Sequence, residues 1–144
     1  MTKASRFEPL ADQADRELKR AARELAKVLN ELRVAETQLA KLTEYLDDYH
    51  QRLCAPQSGV SSERWQNDRR FMERLSEVIS TQQKAVDKLR RTHRQQLDAW
   101  RESHLKNKAM QDLLETYCRA ELQALERAEQ DEADESILAK LERG

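Results

Sequence analysis

His50 and Cys54 stand four residues apart, a spacing that on one helix sets an imidazole beside a thiolate and can hold a soft divalent metal. Two ligands do not close such a site, and Cys54 falls where the helical pattern runs out. His93 and His104 read as seam or surface residues, and Cys118 meets His104 only if the fold happens to bring them together. Carboxylates are abundant, yet on an extended helix they face water. No serine, threonine or cysteine has both a base and an enclosing wall of the kind nucleophilic catalysis uses. With only two glycines a phosphate-cradling loop has no material. The expectation is a non-enzymatic protein with no catalytic residues, no cofactor and no metal.

Two groupings remain that could do chemistry by contact. The first is the window 84–94, where Lys84, Lys88, Arg90, Arg91 and Arg94 stand against Asp87 alone. A basic strip on an exposed helix can meet phosphates, but no interleaved aromatic or glycine accompanies it, and the plainer reading is a solvated helix face. The second is a ridge. Gln38, Leu42, Tyr45 and Tyr49 step by four, three and four, and Phe71, Leu75, Val78 and Gln82 do the same, so each set lines one helical face. Ordinary packing explains several of these. Tyr45 and Phe71 are the least needed for it and the ones expected at the surface.

The elements that hold these residues are long helices. Over residues 7–53 apolar side chains fall on a seven-residue repeat. One rail is Ala11, Leu18, Leu25, Leu32, Leu39, Leu46 and Leu53; the other is Phe7, Ala14, Ala21, Val28, Ala35, Leu42 and Tyr49. This is the seam of a left-handed coiled coil. Composition agrees: 37% charged, 5% aromatic, two prolines and two glycines describe extended helices rather than a layered globule. The fold class is all-α, a long antiparallel two-helix coiled-coil hairpin with an overhanging C-terminal helix end.

Its expected organisation is a single coiled-coil domain, 1–144. Residues 1–6 are frayed, and Pro9 sits in the first turn of helix one, about 7–53, where its missing N–H costs nothing. A loop at 54–62 contains Pro56 and Gly59, and Ser61 or Ser62 caps the next helix. Helix two runs from about 63 to 128 or beyond, and 129–144 is an acidic tail, frayed or disordered. The second seam reads Met72, Leu75, Ile79, Gln82, Val86 and Leu89, then degrades through His93, Gln96 and Trp100 with a drift of phase. Folding about residue 59 pairs positions whose numbers add up to roughly 116–120. That sets the two ridges side by side and brings Trp100 and His93 near the small Ala21 and Val28. Beyond about residue 110 helix two overhangs, with Met110, Leu114, Tyr117, Cys118, Leu122 and Leu125 left to meet another protein.

No run approaches the roughly 18 apolar residues of a membrane span, and the N-terminus lacks the apolar core of a signal peptide. Two cysteines give no disulfide framework. A cytoplasmic protein is expected, reaching the membrane only through a partner.

Ala35-Glu36-Thr37-Gln38-Leu39, then Tyr45 with Tyr49, the loop, Arg64-Trp65, Phe71 and finally Trp100-Arg101 resemble the flagellar export protein FliJ family in order, loop position and length, over about residues 10–125. The resemblance implies a cytoplasmic component of the flagellar type III export apparatus, similar to the central stalk of rotary ATPases and peripheral to the inner face of the cell membrane. It implies three partners. The end bearing the chain termini enters and activates the export ATPase ring, the loop-side surface contacts the cytoplasmic domain of the membrane export gate, and export chaperones also bind. No nucleic acid and no direct membrane insertion are implied. The gate-contact pattern carries onto Gln38, Leu42, Tyr45, Tyr49, Phe71, Leu75, Val78 and Gln82. Val78 stands where a version of that pattern has a smaller alanine, and Gln82 where it has a histidine.

Two other readings compete with the stalk: a nucleic-acid-binding coiled coil using the 84–94 window, and a purely structural parallel dimer. The proline- and glycine-containing loop favours the hairpin over a dimer of continuous helices. The ladder is also graded, with Ala11, Ala14 and Ala21 towards the termini and Leu42, Leu46 and Tyr49 towards the loop. Small seam residues let helices approach closely, so a slim end for a ring and a bulky end for docking are expected.

Overall fold

Leu, Ala, Glu, Gln, Lys and Arg dominate the chain, and these residues lose little on entering a helix. The computed structural model describes residues 2–54 and 62–143. It consists of α1, Lys3–Cys54, and α2, Ser62–Arg143. The expected loop, with Pro56, Gly59 and the candidate cap Ser61, lies outside the described residues apart from its ends. Cys54 closes α1 and Ser62 opens α2. The two helices pack against each other antiparallel, and no strand occurs among the described residues. The chain divides into two compact units, Ala22–Ala99, and Met1–Ala21 with Trp100–Gly144.

All fourteen places of the α1 ladder are buried or half-buried. In the unit Ala22–Ala99 the core is Leu32, Ala35 and Val86, with Leu39 and Leu89 packed on it. Val86 is fully enclosed, which at the usual transfer cost stabilises the pairing by about 1.5–3 kcal/mol. Gln82 occupies a seam place and satisfies its amide across the helices, donating Nε2 to the carbonyl of Ala35 at 3.1 Å.

In the other unit the buried residues are the small ones, Ala4, Ala11 and Ala14. Around them Phe7 meets Tyr117 edge to face at 5.4 Å, and the Lys3 ammonium lies 4.8 Å from the same ring. Gln111 donates Nε2 to the carbonyl of Ala11 at 3.2 Å. Lys106 pairs with Glu17 at 3.3 Å.

The structure departs from the sequence expectation in four places. α1 starts at Lys3, not near residue 7: the Thr2 hydroxyl accepts from the Ser5 N–H, and Glu121 of α2 accepts from the Ala4 N–H at 2.9 Å. These bonds satisfy N–H groups that a helix start leaves open, so the first residues are held, and Pro9 falls inside the helix rather than in its first turn. The α2 seam does not drift. Burial continues at steps of three and four through His93, Gln96, Trp100, Ser103, Asn107, Met110, Leu114, Tyr117 and Glu121; polar residues hold several seam places, and this hides the period from a count of apolar ones.

The pairing is as expected where Tyr49 meets Phe71 and Gln38 meets Gln82, but it is shifted by a few residues in the unit holding the termini, with Phe7 against Tyr117 and Glu17 against Lys106. Met110, Leu114 and Tyr117 are therefore half-buried, and the fully exposed stretch of α2 begins at Leu122 rather than near residue 110. Lastly, α2 stays helical through the acidic run to Arg143, with every described residue from Leu122 onward exposed.

Candidate docking surface

The ridge residues all lie in the unit Ala22–Ala99, and the seven-residue frame explains their division. Leu42, Tyr49, Leu75 and Gln82 hold seam places and are half-buried. Gln38, Tyr45, Phe71 and Val78 fall immediately before seam places, on one flank, and are exposed. The two helices contribute to the same flank: Gln82 Nε2 donates to Gln38 Oε1 at 3.3 Å, and the rings of Tyr49 and Phe71 lie 4.9 Å apart at 40°. Tyr45 is 63% exposed, Val78 51% and Phe71 46%. Arg52 completes this end, its guanidinium 5.7 Å from the Tyr49 ring.

The opposite flank of the same unit is chemically different. Arg90 pairs there with Glu36 at 3.4 Å and with Asp87 at 3.7 Å, and Arg69 pairs with Glu73 at 3.7 Å. A shallow groove beside them is lined by Glu36, Leu39, Ala40, Thr43, Glu44, Asp47 and Arg90. One flank carries ion pairs that join neighbouring side chains and the two helices; the other carries a row of exposed apolar and aromatic side chains. Uncovered apolar rows with a polar rim are where soluble proteins meet partners.

Sequence reasoning passed over Val34, which is 50% exposed on the apolar flank, four residues before Gln38. It also passed over Leu10 and Leu113, exposed in the other unit. The usable signal was positional: each is an apolar residue in a flank place where this chain otherwise sets polar ones.

Cys54 and Cys118 are both free and exposed, and no three His, Cys, Asp or Glu side chains among the described residues could hold a metal ion. His104 stacks on Trp100 with ring centres 5.2 Å apart, and His93 sits half-buried in the seam. Within the 84–94 window Arg90 is tied to α1, while Lys84, Lys88, Arg91 and Arg94 are exposed. No described helix is long and apolar enough to cross a membrane.

Fold and surface together define an antiparallel helical hairpin of the coiled-coil kind with a row of exposed apolar and aromatic side chains on one flank. The FliJ family model, described as flagellar FliJ protein, matches residues 2–142. The flagellar FliJ protein of Escherichia coli (strain K12) is 32% identical over 127 residues, covering 88% of this chain and 86% of that one. The flagellar FliJ protein of Salmonella typhi is 29% identical over 136 residues, covering 94% and 92%. The chain belongs to the FliJ family.

Proposed function

We propose that this chain, a component of flagellar protein export, works without catalysing a reaction itself, as a coupling piece between the export ATPase ring and the membrane export gate, and that it also receives export chaperones. Its place of action is the cytoplasm, at the inner face of the membrane through these partners. The observation that carries the reading is the contrast between the two units. The unit holding the termini buries alanines, which lets its helices lie close. The unit nearer the helix junction displays Tyr45, Phe71 and Val78 beside a seam that already has its own filling.

In this account the alanine-seamed unit enters the ring and raises its ATP hydrolysis. The flank of Gln38, Tyr45, Phe71 and Val78 docks on the cytoplasmic domain of the gate, while Leu42, Tyr49, Leu75 and Gln82 support it from the seam. The test is binding of the purified chain to that gate domain. Tyr45→Ala with Phe71→Ala should weaken binding by tenfold or more, with circular dichroism unchanged. An equal loss of helicity would mean that the two rings serve packing and that the flank is not a contact surface.

A further inference from the structure

The docking flank carries charge as well as apolar surface, and three of its cations have no ion-pair partner among the described residues. Lys41 lies one helical turn before Tyr45, and Arg74 one turn before Val78, each exposed on the same flank. Lys88 continues the row on α2 and Val34 continues it on α1, both exposed. Among the described residues none of Lys41, Arg74 and Lys88 has an ion-pair partner, although the flank also bears the acidic Glu31 and Asp48. On the opposite flank Arg69 and Arg90 are engaged by Glu73, Glu36 and Asp87. A partner covering Tyr45 and Val78 must crowd Lys41 and Arg74, and an ammonium or guanidinium that loses water without gaining an anion opposes binding.

We infer that the surface received by this flank is an apolar patch rimmed by carboxylates, with Lys41, Arg74 and Lys88 as its charge partners and Val34 as a further apolar contact. The inference rests on the reading of the flank as the gate-docking surface, and it specifies the chemistry of the partner face. The apolar row supplies holding contacts, and the cations supply orientation and faster encounter, the division of labour expected of complementary charge at an interface. The Val34 position lengthens the surface by one turn beyond Gln38.

The experiment is isothermal titration of the full chain with the cytoplasmic domain of the export gate, at about 50 mM and about 300 mM salt, a range over which rim charges are progressively screened. Lys41→Glu with Lys88→Glu should weaken binding about tenfold or more at low salt and flatten the salt dependence. Lys41→Gln with Lys88→Gln, which adds no repulsion, should give a smaller loss in the same direction. Val34→Ser should weaken binding several-fold without altering the salt dependence, and Arg33→Glu, on the opposite flank, should change neither. If the charge-reversed variant binds as tightly as the wild type while Tyr45→Ala still weakens binding, the acidic rim is wrong and the docking flank stands. If Tyr45→Ala is also silent, or the wild type does not bind, the gate reading falls and this inference falls with it.

Discussion

Gln82 of α2 reaches across the seam and donates its amide to the main-chain carbonyl of Ala35 on α1 at 3.1 Å, while sharing a second contact with Gln38 at 3.3 Å. The carbonyl it uses belongs to a helix already bonded along its own axis, so the contact adds to the backbone ladder. A polar residue in an apolar seam favours the one alignment in which its partners are in reach, and it does so at some cost in stability. An alignment slipped along α1 takes the Gln82 amide away from Gln38, the partner that a main-chain carbonyl one turn further on does not replace. Gln111 repeats the arrangement in the other unit, with the carbonyl of Ala11.

Replacing Gln82 by leucine therefore separates stability from alignment. Gln82→Leu should raise the thermal midpoint, because an apolar side chain suits the seam, while Gln82→Ala should lower stability by about 1 kcal/mol through the lost bonds. Paired cysteines engineered at Leu32 and Leu89, neighbours in the native core, should cross-link in high yield in the wild-type background. With Gln82→Leu the yield should fall as slipped alignments become populated. An unchanged yield would show that the apolar residues alone set the register.

The small residues of the terminal unit should be intolerant of bulk. Ala11 and Ala14 are 0% and 2% exposed, and forcing extra methylenes into a close seam costs about 1–3 kcal/mol. Ala14→Leu should lower the denaturation midpoint accordingly. Ala14→Leu with Ala21→Leu, checked by circular dichroism, should impair ring activation more than gate binding. The reverse order of effects would break the assignment of this unit to the ring.

Cross-helix ion pairs should matter little. Lys106–Glu17 and Arg90–Glu36 are both about half exposed, and exposed pairs contribute roughly 0.2–1 kcal/mol, less in salt. Glu17→Gln and Glu36→Gln should each shift urea midpoints by no more than that, with the shift shrinking at high ionic strength. A larger, salt-insensitive loss would mean that the pairs are part of the core.

Removal of residues 126–144 should leave the stability of the remaining pair within about 0.5 kcal/mol, the range for changes away from packed features. All described residues from Leu122 onward are exposed. Urea denaturation of the shortened chain checks this, and a clear drop in midpoint would reveal contacts made by the acidic end.

How far the sequence could be read follows from where apolar side chains stand. The α1 ladder was plain because every seam place from Phe7 to Leu53 is apolar, so period and burial coincide. On α2 they do not: Gln96, Ser103 and Asn107 hold seam places, and a pattern written in polar residues looks like drift. The early helix start was hidden because Pro9 is a familiar first-turn residue. Here Thr2 and Glu121 cap the helix further back, and one of those partners is remote in sequence. Of the ridge, Tyr45 and Phe71 were legible as aromatics surplus to the seam. Val34 was not, since one valine on a polar face carries no periodic signal until the flank it joins is known.

The most direct test of the coupling account is the ATP hydrolysis rate of the purified export ATPase with and without the full-length chain. The account predicts a higher rate when the chain is added, no hydrolysis by the chain alone, and a reduced stimulation with Ala14→Leu and Ala21→Leu together. A rate that the chain leaves unchanged would contradict it.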